Sequence, residues 1–248
     1  MDDTRELEGR VALVTGAAKN IGRAIAEELA RAGASVVINT RAANPEADAA
    51  VEVLRGRGHR ALVHVADVTD GAAVKRMVQA LVDEFGRLDI LVNNAVAHGS
   101  TPFDALDFET WERTIAVTLH GAYHCTQAAL PHIVKAGGGS IVNMGGAFGH
   151  KASTGRSATS AAKAGLAGMT RALAHELAAR NINVNYVAPG PVNTVRHVPA
   201  RIDPESIPMG RFAEIDEVTA VVRMLCVPKG RYITGQTIHV NGGFYMNA

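Results

Sequence analysis

Short apolar runs alternate with amphipathic stretches along almost the whole chain. VALVT (Val11–Thr15) is continuously apolar up to its last residue, too short for a core helix, and runs straight into glycine. The next stretch sets Ile21, Ile25 and Leu29 on one helical face and stops at Gly33. SVVIN (Ser35–Asn39) predicts a second buried strand, Ala47–Leu54 a helix, and ALVHVAD (Ala61–Asp67) a third strand. A helix over Ala72–Phe85 and a strand over LDILVNN (Leu88–Asn94) follow. The second half repeats the theme. A long helix is predicted over Phe108–Val134, a strand over Ser140–Met144 and a helix over Thr159–Arg180. Strands over Ile182–Pro189 and Thr237–Val240 then flank a helix over Asp216–Cys226.

Strands this apolar must be covered on both faces, which requires a parallel sheet between two helical layers. Right-handed crossovers then give an α/β Rossmann fold, a doubly wound sheet of about seven strands. No linker or repeat divides the pattern, so residues 1–248 are expected to form one domain. Only Val192–Arg211 breaks the alternation. It is proline-rich and aperiodic, as a lid-like excursion would be.

Composition narrows the setting. A net charge of +1 supplies no field to draw nucleic acid or an anionic membrane. Cys125 and Cys226 are far apart and outside any CxxC pair, which argues against a disulfide framework or a metal site and for a reducing compartment. The N-terminal MDDTRELEGR is acidic and polar, unlike a signal peptide, and no apolar run approaches the ~20 residues of a membrane span. A cytoplasmic protein acting on a small molecule is expected.

Candidate chemistry begins after the first strand. In TGAAKNIG, Gly16 and Gly22 flank a turn that opens a helix, so backbone N–H groups and the helix N-terminus can face a pyrophosphate. An acidic residue at the end of the second strand would accept from a ribose 2′-hydroxyl. This chain has Asn39, Thr40 and Arg41 there. Arg41, with Lys19, suits a 2′-phosphate instead, which favours NADP(H) over NAD(H). The alternative is that both cations are solvated surface charges.

These motifs resemble the short-chain dehydrogenase/reductase family, of the type that includes the ketoacyl-carrier-protein reductases. TGAAKNIG looks like the family's TGxxxGxG with Asn20 replacing the middle glycine and Ile21 beside it. Asp67-Val68 resembles the pair that contacts adenine, and Asn93-Asn94-Ala95 the NNAG segment, with Val96 in place of its glycine. Pro189-Gly190-Pro191-Val192 resembles the segment beside the nicotinamide, and Ile233–Gly243 the last strand. The resemblance spans nearly the whole chain and implies a homotetramer built on the two long helices.

It also implies an active site that this chain only partly has. The family pairs tyrosine and lysine as YxxxK, one helical turn apart. The lysine lowers the phenol's pKa and holds the nicotinamide ribose, and the phenol exchanges a proton with the substrate oxygen. A serine thirteen residues before the tyrosine and an asparagine in the preceding helix complete the set. Carried onto this sequence, the lysine is Lys163. The tyrosine place is Thr159, the serine place Gly146 and the asparagine place Thr118. Ser153, Ser157 and Ser160 lie nearby, but none stands four before Lys163, and no tyrosine occurs between Tyr123 and Tyr186.

Losing a general acid costs a factor of roughly 10²–10⁴, so ketone reduction by the family mechanism is not expected. His98 and His150, each just beyond a strand end, are candidate replacement donors, with loop histidines in solvent as the plain alternative; His197 in the excursion is a third. Lys163 itself could donate. Tyr186 reads as a packed core aromatic and Tyr245 as an interface or surface residue. Three functions follow: a redox enzyme with a relocated acid, a lyase or isomerase on the same scaffold, and a nucleotide-binding sensor or partner subunit without chemistry.

Overall fold

Every apolar run becomes a strand of one sheet in the computed structural model, which describes residues 5–97, 99–195 and 202–246. The strands are β1 (Val11–Val14), β2 (Ser35–Thr40), β3 (Ala61–Val65), β4 (Ile90–Asn93), β5 (Gly139–Met144), β6 (Ile182–Pro189) and β7 (Thr237–Val240). All pairings are parallel, in the order β3-β2-β1-β4-β5-β6-β7. The chain runs outward from β1 to β3, then returns to β4 beside β1. Connections leave these two strands in opposite directions, and a crevice opens at their C-terminal ends.

Helices α1 (Asn20–Arg31), α2 (Pro45–Gly56) and α7 (Ile215–Cys226) cover one face, burying Ala26, Leu29, Leu54, Val222 and Leu225. Helix α3 (Gly71–Phe85) and two later helices, over Gly121–Lys135 and Ser157–Leu177, cover the other, with Leu81, Cys125, Ile133 and Leu177. The ends follow from capping. Asn44 accepts from the Glu46 and Ala47 N–H groups ahead of Pro45, so α2 starts earlier than its apolar pattern. Asp70 caps α3 in the same way, and Gly86, left-handed at φ 79°, ends it.

The stretch expected as one long helix is α4 (Phe108–Ile115), a π-turn over Ala116–His120, and α5 (Gly121–Lys135). Helix α6 (Ser157–Leu177) ends in a 3₁₀ turn over Ala178–Arg180. Buried polar groups lock this half together. Asn93 donates to Thr126 Oγ1 at 3.1 Å and to Asn143 Oδ1 at 2.8 Å, and Asn143 donates to Thr170 Oγ1 at 2.9 Å. The chain β4–β5–α6 therefore fixes the helix that carries Thr159 and Lys163. Leaving one member unpaired would cost about 1–3 kcal/mol.

Candidate active site

The turn between β1 and α1 is shaped by close approaches. Gly16 has φ +59°, and a Cβ there would lie 2.9 Å from Ala95 Cα. A Cβ on Gly22 would run into the Asn94 side chain and lie 2.8 Å from the Gly16 carbonyl. Only glycine suits either place. Thr15 Oγ1 accepts from the Asn94 and Ala95 N–H groups, both at 3.0 Å, and Asn94 donates back to the Thr15 and Gly16 carbonyls. Lys19 precedes α1 without a side-chain cap, and the first turn of the helix holds no acidic residue to offset the positive end of its dipole.

Asn20 supplies the left-handed residue of this turn at φ 51°, a conformation asparagine tolerates. Its side chain exchanges hydrogen bonds of 3.1 Å with the backbone N–H and C=O of Val195, at the start of the excursion. Ile21 behind it is half-buried. Asn39 is committed elsewhere. Its Oδ1 accepts from Gly16 N–H at 3.3 Å and its Nδ2 donates to Ala66 O at 2.9 Å, so it stitches the turn to the end of β3. Arg41 and Lys19 are exposed. Asp67 Oδ1 accepts from both the N–H and the hydroxyl of Thr69, which orders the turn into α3, and Val68 is buried against Gly121.

The candidate catalytic end is unusual. Thr118, Thr159 and Lys163 are 2%, 4% and 5% exposed, so all three are desolvated rather than on an open surface. Thr118 lies in the π-turn and accepts from Ala97 N–H at 3.4 Å. Gly146 has φ +134°, a backbone conformation closed to serine. A Cβ placed there would be 2.9 Å from Lys163 Nζ and 3.4 Å from the Pro189 carbonyl. Burial, reinforced by the positive charge of Arg156, lowers the Lys163 ammonium pKa to about 8. Pro189 ends β6, Gly190 donates to the Val240 carbonyl at 2.9 Å, and Val192 is buried beside Ala213.

His150 is not a solvated loop residue. Its ring stacks on Tyr245 at 5.9 Å and meets Tyr186 and His239 edge-on at 5.5 and 5.1 Å. His150 Nε2 and both His239 nitrogens are buried without a hydrogen bond, and burial lowers both pKa values. Tyr186 is fully buried, as its apolar surroundings suggested, and its hydroxyl fills the space beside Gly145. Burial raises the phenol's pKa; the nearby Gly146 amide opposes the shift, but too loosely to complete a hydrogen bond. Tyr245 is half-buried in the ring cluster rather than free on the surface. His98 and His197 lie outside the described residues.

Two contributors escaped the sequence reading. His239 was hidden inside an apolar strand, although a lone histidine in TIHV is a signal. Arg156 precedes α6 without any motif to mark it. Among the described residues, no group of three or more histidine, cysteine or acidic side chains could hold a metal, and no helix is long and apolar enough to cross a membrane.

The sheet order and the glycine-shaped turn define a dinucleotide-binding oxidoreductase scaffold. Residues 16–245 match the family described as Enoyl-(Acyl carrier protein) reductase. Curated relatives include the 3-oxoacyl-acyl-carrier-protein reductase of Staphylococcus aureus, 38% identical over 242 residues, covering 95% of this chain and 98% of that one. The Thermotoga maritima counterpart is 37% identical over 242 residues, covering 96% and 98%. Among solved structures, a short-chain alcohol dehydrogenase from Sinorhizobium meliloti has a TM-score of 0.92 at 36% identity, covering 97% and 98%. A Burkholderia cenocepacia short-chain dehydrogenase, solved in complex with NADP, has a TM-score of 0.91 at 34% identity, covering 96% and 99%. The chain belongs to the short-chain dehydrogenase/reductase family, and its relatives are oxidoreductases.

Proposed function

We propose that this protein is an NADP(H)-dependent oxidoreductase acting on a small organic carbonyl or imine, with a proton donor other than the family's phenol. The observation that carries the reading is the intact cradle. Gly16 and Gly22 leave room only for backbone, and α1 begins without a side-chain cap or an acidic residue in its first turn. A decaying site would have no reason to keep those close approaches together with a buried lysine.

In this reading the dinucleotide supplies a hydride when bound. The turn Thr15–Gly22 holds its pyrophosphate, and Arg41 and Lys19 take the 2′-phosphate. Asp67 and Val68 border the adenine, and Asn94 and Ala95 brace the floor. Asn39 acts by shaping the turn. Lys163 holds the nicotinamide ribose, with Pro189, Gly190 and Val192 beside the ring. The solved neighbour with NADP supports the choice of cofactor. The expected setting is the cytoplasm, as a homotetramer.

The test is NADPH oxidation with a panel containing 3-oxoacyl thioesters, simple ketones and cyclic imines. Turnover with at least one is expected. Nucleotide binding without turnover would leave the sensor or partner-subunit reading, and turnover of a substrate without net redox change would support the lyase or isomerase.

A further inference from the structure

We propose that Lys163 itself delivers the proton to the substrate oxygen or nitrogen, from a position opened by glycine at 146 and threonine at 159. The proposal rests on the redox reading above and names its missing donor.

Three features converge on the Lys163 ammonium. The first is space. Thr159, one turn earlier on the same helical face, is too short to project a side chain past the lysine. The second is position. Nζ lies 2.9 Å from where a side chain on residue 146 would begin, so the amine has advanced into the volume that a serine would occupy. Gly146 has adapted to this arrangement, because φ +134° is available to glycine and not to serine. The third is that, among the described residues, neither Tyr186 nor His150 is placed to compete as the acid. The Tyr186 phenol is fully buried and held protonated, while His150 packs its ring against Tyr186, His239 and Tyr245.

The charges around Nζ suit the task. From the head of α6, Arg156 repels the ammonium. From β6, the neutral Tyr186 hydroxyl reaches Gly149, whose Cβ would sit 3.0 Å from Lys163 Cβ. His150, on the loop after β5, is held below the usual imidazole value, and Thr118 from the π-turn carries no charge. Among the described residues, no carboxylate lies within salt-bridge distance of Lys163. An ammonium that is desolvated, repelled and unneutralised releases its proton near the operating pH, where general-acid efficiency is greatest.

The step balances. The carbonyl carbon accepts a hydride, with its electron pair, from the dihydronicotinamide. The C=O π pair moves to oxygen, and the oxygen takes a proton from Lys163 as the N–H bond breaks and leaves its pair on Nζ. The carbonyl is reduced by two electrons, the dinucleotide is oxidised by two, and solvent reprotonates the amine. The ammonium has three protons, so one can hold the ribose while another faces the substrate.

The test has a nucleotide-free arm and a turnover arm. NMR titration of the nucleotide-free protein carrying ¹³Cε-lysine, with the Lys163 signal assigned by its loss in Lys163→Met, should place the Lys163 midpoint near pH 8. An ordinary lysine value would overturn the proposal. For turnover, acetoacetyl-CoA, ethyl acetoacetate and a cyclic imine serve as probes. Lys163→Arg keeps the cation but cannot donate, so it should retain thermal stabilisation by NADPH and lose turnover by about 10²–10⁴-fold. Turnover within about tenfold of the parent would overturn the proposal. Lys163→Cys, combined with Cys125→Ala and Cys226→Ala and alkylated with bromoethylamine in denaturant before refolding, restores a more acidic amine. This amine should recover activity and move the alkaline limb of kcat/KM to lower pH; recovery with an unmoved limb would overturn the assignment. Failure of the parent protein to oxidise NADPH with any probe would instead remove the redox reading, and the proposal with it.

Discussion

Replacing Lys163 with methionine should make the nucleotide-free protein more stable while weakening its hold on the dinucleotide. Lys163 is 5% exposed, and burial lowers its ammonium from an ordinary 10.5 to about 8. At about 1.4 kcal/mol per pH unit, the charged form costs the fold roughly 3 kcal/mol at neutral pH. Methionine matches the stem in length and carries no charge to desolvate, so Lys163→Met recovers most of that cost. For a chain of this size, at roughly 2–4 °C per kcal/mol, Tm should rise by about 6–12 °C. The advantage depends on pH in a definite direction. Below the folded value both states are protonated and the full cost is present. Between about 8 and 10.5 the unfolded chain still binds a proton that the native protein has released, so the parent gains stability as pH rises. Differential scanning fluorimetry at neutral pH and near pH 10 reads both effects, and NADP⁺ titration of the same variant should show a smaller thermal shift. Equal melting temperatures at neutral pH, or a gap that does not narrow in alkali, would show that the lysine is hydrated and the desolvation argument wrong.

Three further outcomes follow from other parts of the site. NADP⁺ should raise Tm more than NAD⁺, and Arg41→Ala should shrink the difference; equal shifts in the parent would mean that Lys19 and Arg41 do not read the 2′-phosphate. Gly22→Ala gains about 1 kcal/mol of helix propensity but forces apart Asn94 and the Gly16 carbonyl, at about 1–3 kcal/mol of overpacking and about 1 kcal/mol for each displaced bond. Denaturant unfolding should therefore show a net loss of about 2–4 kcal/mol, with nucleotide binding lost, and an unchanged midpoint would refute the close approach. His239 is held below 6.5 by burial, so its stabilising contribution is complete above that value and lost as pH falls through it. His239→Phe should flatten the acid limb of the stability profile, and an unchanged limb would place the titration elsewhere.

The hydrophobic pattern alone settled which segments are strands and helices, their order, and the doubly wound parallel sheet. Burial on one face or both is written locally, in period and run length. The strand–glycine–helix spacing marked Gly16 and Gly22 as the glycines of the first turn, and the family resemblance then located the tyrosine and serine places at Thr159 and Gly146, because motifs are matters of spacing along one chain. Tertiary structure decided what the side chains do. Asn39 sits where a ribose partner was sought but spends its amide on Gly16 and Ala66, which come close only through sheet register. Asn20 reaches Val195, and His150 meets His239 across the sheet edge. The acidity of Lys163 depends on groups from β5, β6 and the head of α6 packing around one amine. Desolvation and close approach add up over neighbours that are remote in sequence, and no periodicity records how they converge.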